Sequence, residues 1–190
     1  MKIKKVTVFR ENLELTRPYT IAYETFTHVE NLFVQLETDT GLVGIGAGSP
    51  AEDVTGESLD ACEKALNEQA CALFEGMELS DAFARLKTME TKMATTPAAM
   101  AAMDIALHDL IGKVLDRPLV EILGREHTAM PTSITIGIKS LDEMLAEADE
   151  YTGRGFNILK LKTGMDVDQD IERLCLLKAH VGADVRSRLD

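Results

Sequence analysis

Cysteine is scarce and irregularly placed. Cys62, Cys71 and Cys175 are the only three, with no CxxC pair. An odd, widely spaced set argues against a disulfide framework and against a zinc site. Cys62 and Cys71 fit a helical pattern as small buried hydrophobes, and a reducing cytoplasm is the expected compartment. Cations are also short: 20 Lys and Arg face 32 Asp and Glu, a formal charge of −12. Such a surface repels phosphate backbones, which argues against a general nucleic-acid binder. No apolar run approaches the roughly 20 residues of a membrane span, and Met1 to Lys5 lacks the apolar segment of a signal peptide. Internal repeats and low-complexity tracts are missing. Length is limiting too. A whole (β/α)8 barrel needs about 250 residues, and the chain has 190. Yet 45% of it is apolar, enough for a real core.

Three alternating stretches come first. Lys2 to Phe9, Glu30 to Thr38 and Leu42 to Ala47 predict strands of an antiparallel meander, the last two joined by the turn Asp39-Thr40-Gly41. Glu11 to Val29 is expected to be a long loop, with an aromatic and hydroxyl-rich middle suited to a lid. From Gly56 the period becomes helical: Leu59, Cys62, Leu66, Ala70 and Leu73 share one face. Further helices are expected over Ser80 to Met93 and Pro97 to Leu115, and a short one from Pro118 to Gly124. Small residues on several faces of the Pro97 helix predict tight packing. Beyond Pro131 strands and helices alternate as βαβαβ, the pattern of a parallel sheet with right-handed crossovers. A domain boundary is expected near Thr128 to Pro131.

Ile158-Leu159-Lys160-Leu161-Lys162 carries the most chemical information. Residues two apart on a strand share a face, so Leu159 and Leu161 face the helices while Lys160 and Lys162 face the other way. The pattern suits an exposed edge strand with protective lysines, or a site in which adjacent ammonium groups depress one pKa and create a base. Asp190 ends the next strand, at the edge where barrel ligands sit, and could cap the strand or bind Mg2+. His28, His108, His127 and His180 lack paired spacing and read as structural or surface residues. Gly44-Ile45-Gly46-Ala47-Gly48 lies in a hairpin, so close backbone approach near a site suits it better than phosphate binding.

Several segments together resemble one family. Ala101-Ala102-Met103-Asp104-Ile105-Ala106-Leu107-His108-Asp109-Leu110, then Gly112-Lys113 and Pro118 to Gly124, are similar to a signature helix of the enolase superfamily, muconate-lactonizing-enzyme subgroup. Lys160-Leu161-Lys162 matches that subgroup's KxK motif. Thr132 to Ile138 and Val54 to Ser58 resemble the first barrel strand and first cap helix of dipeptide epimerases, the L-Ala-D/L-Glu epimerases included. The implied fold is an α+β capping domain over 1–128, with a three-stranded antiparallel meander plus helices. It is followed over 129–190 by the first part of a (β/α) barrel, cut after about three strands.

The resemblance implies a reaction and roles. Dipeptide epimerases invert the α-carbon of a dipeptide's C-terminal residue by 1,1-proton transfer, with Mg2+ stabilising an enediolate. Lys162 would be a general acid/base, Lys160 would lower its pKa and support negative charge, and Asp190 would be the first metal-binding carboxylate. Tyr19, Ile21 and Glu24 in the Tyr19 to Thr27 loop, Glu52 and Asp53 in the Ser49 to Val54 segment, and Thr135 would contact substrate. A homo-oligomer is expected for the full-length form. Ala-Glu epimerases carry Arg where this chain has Glu24. With Glu52 and Asp53 also acidic, a hydrophobic or cationic dipeptide is expected in place of an acidic one. The family's other metal acids and opposing base belong to later barrel strands, so the 190-residue chain is expected to be inactive alone. Other readings are an o-succinylbenzoate synthase or cycloisomerase of the same subgroup, or a non-catalytic truncated binding module.

Overall fold

The computed structural model describes residues 1–190. It divides into two compact units: Met1–Leu13 with Glu30–Glu126, and Glu14–Val29 with His127–Asp190.

The meander consists of β1 (Ile3–Thr20), β2 (Thr25–Thr38) and β3 (Val43–Gly48) in the order β1-β2-β3. Leu32, Val34 and Leu36 alternate into the core of the first unit and are fully buried. Strand β2 pairs antiparallel with β3, Val34 opposite Gly46. The turn between them is closed by Thr38 N–H donating to Leu42 O at 2.9 Å, with Gly41 in the left-handed region at φ 83°.

The hairpin differs from the expected loop. Strand β1 continues to Thr20, β2 begins at Thr25, and Ile21 N–H donates to Glu24 O at 2.9 Å across the turn. Most side chains of this outer stretch are exposed, so it carries no apolar alternation to read. Pro18 is tolerated because β1 is an edge strand.

Helices α1 (Glu52–Thr55), α2 (Leu59–Ala65), a π turn (Leu66–Ala70), α3 (Cys71–Phe74), a 3-10 turn (Leu79–Asp81), α4 (Ala82–Lys92), α5 (Pro97–Leu115) and α6 (Leu119–Leu123) complete the first unit. Glu52 and Asp53 therefore lie on a helical turn, too short to show a period. The π turn adds a residue and rotates the face, so Phe74 is fully buried and Leu73 only partly so.

The glycine run of β3 packs against α5. A Cβ on Gly44 would fall 2.7 Å from the Leu110 Cβ, and one on Gly48 would fall 2.6 Å from the Ala98 carbonyl oxygen. The backbone approach is real, and its purpose is a strand-to-helix seam in the core of the first unit. Asp109 completes the seam. Its Oδ2 accepts from Ile45 N–H at 2.8 Å and from Lys113 Nζ at 2.6 Å, while Lys113 also donates to Val43 O at 2.8 Å. Polar groups on the open edge of β3 are thereby satisfied. At the start of α5 the buried carboxylate of Glu57 accepts from Ala98 N–H at 2.6 Å and from Ala99 N–H at 3.3 Å. Negative charge at a helix N-terminus is favoured by the dipole and by the free N–H groups there.

The second unit contains β4 (Ile134–Ile136), α7 (Leu141–Gly153), β5 (Ile158–Leu161), α8 (Val167–Val181) and β6 (Arg186–Leu189). The sheet is parallel in the order β4-β5-β6, with Thr135, Lys160 and Arg188 in register. Ile136, Leu159 and Leu161 pack with Met144, Ala148, Tyr151 and Leu177 from the two helices. Ser140 and Glu143 form a capping box on α7. No helix is long and apolar enough to cross a membrane.

Candidate active site

Because Leu159 and Leu161 are drawn into the helix-facing core, Lys160 and Lys162 are left on the opposite face. Parallel register sets Leu161 beside Leu189, which brings Asp190 level with Lys162. The backbone locks this arrangement. Asp190 N–H donates to Leu161 O at 3.1 Å, and Thr163 N–H donates to Asp190 O at 2.9 Å. Downstream, Gly164 N–H donates to Asp170 Oδ2 at 2.8 Å and ties the strand exit to α8.

The result is a triad. Lys160 Nζ lies 3.0 Å from Asp190 Oδ2, and Lys162 Nζ donates to the same oxygen. All three side chains are partly exposed. The Asp190 carboxylate holds the Lys162 ammonium above its ordinary pKa, against a smaller opposing effect of desolvation, and Tyr19 adds to the rise. Lys162 first and Lys160 second hold the Asp190 carboxyl below its usual range. This reverses the depressed lysine expected from the sequence. The carboxylate that stabilises both ammonium groups is 28 residues from Lys162, and strand spacing alone does not reveal its sign or position.

Thr135 neighbours Lys160 across β4 and β5. Ile21 and Glu24 form the hairpin turn, where Glu24 is exposed and its carbonyl accepts from Ile21 N–H. Glu52 and Asp53 are exposed on α1 in the first unit. Lys160, Lys162, Asp190, Tyr19 and Thr135 thus cluster in the second unit. The sequence reading missed Asp170, whose only signal is its position in the first turn of α8.

A carboxylate oxygen is a hard donor suited to Mg2+, which commonly binds one or two protein carboxylates and keeps several waters. Asp190 fits that role. No cluster of three or more His, Cys, Asp or Glu side chains able to hold a metal ion occurs.

Comparison with known proteins is consistent along the whole chain. The L-Lys-D/L-Arg epimerase of Desulforapulum autotrophicum is 56% identical over 190 residues, covering 100% of this chain and 54% of that protein. The hydrophobic dipeptide epimerase of Enterococcus faecalis is 35% identical over 100% of this chain and 53% of its own length. Among solved structures, the dipeptide epimerase from Methylococcus capsulatus complexed with Mg and the dipeptide L-Arg-D-Lys superposes with a TM-score of 0.93 at 43% identity, covering 100% of this chain and 54% of that one. The chain spans about half the length of the curated relatives it matches. Residues 3–124 match the family model described as mandelate racemase / muconate lactonizing enzyme, N-terminal domain. The chain therefore belongs to the mandelate racemase / muconate lactonizing enzyme family of the enolase superfamily.

Proposed function

We propose that the protein containing this chain is a Mg2+-dependent dipeptide epimerase acting on cationic dipeptides. One observation carries the reading: Lys160 and Lys162 converge on one carboxylate oxygen of Asp190 at the ends of parallel strands. Similarity to two L-Lys-D/L-Arg epimerases, at 56% and 43% identity, supports the cationic class. So does the acid character of Glu24, which would repel an acidic side chain and attract a basic one.

In this reading Asp190 would hold Mg2+, which supplies stabilisation of negative charge on the substrate carboxylate. Lys162 takes or returns the α-proton on one face of the substrate's C-terminal residue. Lys160 remains charged beside it and supports the negative charge that develops as the proton leaves. With Asp190 serving as a metal ligand, its carboxylate would be less available to pair with both ammonium groups, and their mutual repulsion would favour a neutral Lys162. Thr135 and Tyr19 line the same end of the sheet. We read residues 1–128 as the capping domain and 129–190 as the start of the barrel. The activity belongs to the full-length protein, since this chain carries a single metal carboxylate and one KxK pair.

Kinetics of the full-length protein on a dipeptide library, followed by α-proton exchange in D2O, test the proposal. The expected result is highest kcat/KM for dipeptides ending in Lys or Arg, and exchange that requires Mg2+. Ala-Glu as the best substrate would overturn the substrate class. Exchange that persists in a chelator would overturn the metal role.

A further inference from the structure

Three consecutive amides, beginning with that of Lys162, are held by three different elements of the second unit. Lys162 N–H donates to Ile136 O of β4 at 3.0 Å, and Thr163 N–H donates to Asp190 O at 2.9 Å. Gly164 N–H donates to Asp170 Oδ2 on α8 at 2.8 Å. The first two bonds continue the parallel sheet with backbone acceptors. The third does not. Gly164 lies past the end of β5, with φ at 116°, and its N–H is taken by a side chain. Asp170 is partly buried in the first turn of α8. One turn further on, Arg173 donates to the Lys139 carbonyl beyond the end of β4. Helix α8 thereby reaches two neighbouring strand exits, that of β4 through a cation and that of β5 through an anion.

A lysine ammonium sits on a flexible stem, so the backbone beneath it sets how accurately it is placed. Misplacing a reacting group by about 1 Å costs rate steeply. The Thr163 hydroxyl also donates to Asp190 O at 3.2 Å, so a shift of residues 163–164 would carry the Asp190 backbone with it. Helix stability alone would give an acid here a different task. The dipole favours any negative charge in the first turn, and Asp168 already supplies one. That effect needs charge and no contact with Gly164.

We propose that Asp170 is a positioning residue for Lys162: by holding the Gly164 N–H it braces the exit of β5 and fixes the direction of the Lys162 side chain. The catalytic consequence rests on the epimerase reading. The brace itself does not.

Three variants of the full-length protein separate the hydrogen bond from the charge. Asp170→Asn keeps an oxygen acceptor and loses the charge. Asp170→Glu keeps the charge and moves the oxygen by one methylene. Asp170→Ala loses both. Amide hydrogen exchange at residues 163–165 should speed severalfold in Asp170→Ala and Asp170→Glu, and little in Asp170→Asn. Exchange of the α-proton in D2O is then followed on each diastereomer of a dipeptide ending in Lys or Arg. Lys162 serves one face of the α-carbon, so Lys162→Ala identifies the diastereomer that depends on it. Asp170→Ala and Asp170→Glu should slow that diastereomer by about tenfold and the other by under about twofold, with Asp170→Asn recovering most of the rate. Equal slowing of both diastereomers, or of neither, would overturn the positioning role. So would a fast Asp170→Glu beside a slow Asp170→Asn, because charge and not contact would then matter. Unchanged amide exchange in both Asp170→Ala and Asp170→Glu would overturn the brace. A wild-type protein that exchanges no dipeptide α-proton would defeat the epimerase reading, while amide exchange would still decide the brace.

Discussion

The backbone of Gly46 in β3 lies so close to α5 that a Cβ on it would fall 2.6 Å from the amide nitrogen of Ala106. A helix and a strand rarely approach this tightly. The seam exists because small residues face each other on both elements, glycine on every second position of β3 and alanine on every fourth of α5.

Gly46→Ala should therefore cost about 3 kcal/mol, the upper range for overpacking, because the obstructing atoms are backbone and cannot rotate aside. Urea denaturation of the protein checks it. Gly153→Ala is the control. It ends α7 with open space around it, and alanine there should be neutral or stabilising by up to about 1 kcal/mol.

Removing the Glu57 carboxylate should be as damaging as a core cavity. Glu57→Ala leaves the Ala98 and Ala99 N–H groups without their acceptor at a buried helix start. A loss of about 2–3 kcal/mol is expected, with Glu57→Gln recovering part of it. Thermal unfolding of the two variants measures the difference.

Burial, then the charge of Glu57, pushes the Cys62 thiol up to about 12 from 9.0. The folded protein keeps this thiol protonated at pH 8, and Cys175 is exposed. Iodoacetamide at pH 8 should alkylate Cys175 and spare Cys62, as read by peptide mass spectrometry; rapid labelling of native Cys62 would contradict it. The linkage has a definite sign. Between the unfolded value and about 12 the unfolded chain has lost this proton and the folded chain has not, so Cys62 makes stability fall as pH rises through that window.

The capping box should show at the acid end. Hydrogen bonds from Ser140 hold the Glu143 carboxyl below its ordinary value. A carboxyl lowered on folding stabilises above its unfolded pKa and loses that contribution as pH falls through the lower folded value. Ser140→Ala should cost about 1 kcal/mol at pH 7 and flatten this part of the acid dependence, which denaturation at pH 7 and pH 3 can compare.

Lys162→Ala in the full-length protein should reduce kcat by about 10²–10⁴, the range for a positioned acid/base group. Unaltered turnover would remove Lys162 from the mechanism.

Much of this was legible in the residues themselves. Leu32, Val34 and Leu36 alternate because one face of β2 must be dry, and the helix over Pro97–Leu115 announces itself by Pro at its start. Lys160 and Lys162 point away from the helices because the leucines between and before them cannot. Each of these is a local periodicity, set by backbone geometry and the exclusion of water from apolar surface. The outer hairpin left no such mark, since backbone pairing between exposed residues requires no apolar period. Arg17 meets Glu150 across 133 residues, and Lys162 meets Asp190 across 28. Those pairs, and with them the sign of the electrostatics around Lys162, follow from parallel register and from where the hairpin docks. Only the tertiary structure decides them, because the energy of a charge depends on neighbours that the fold, not the chain order, places beside it.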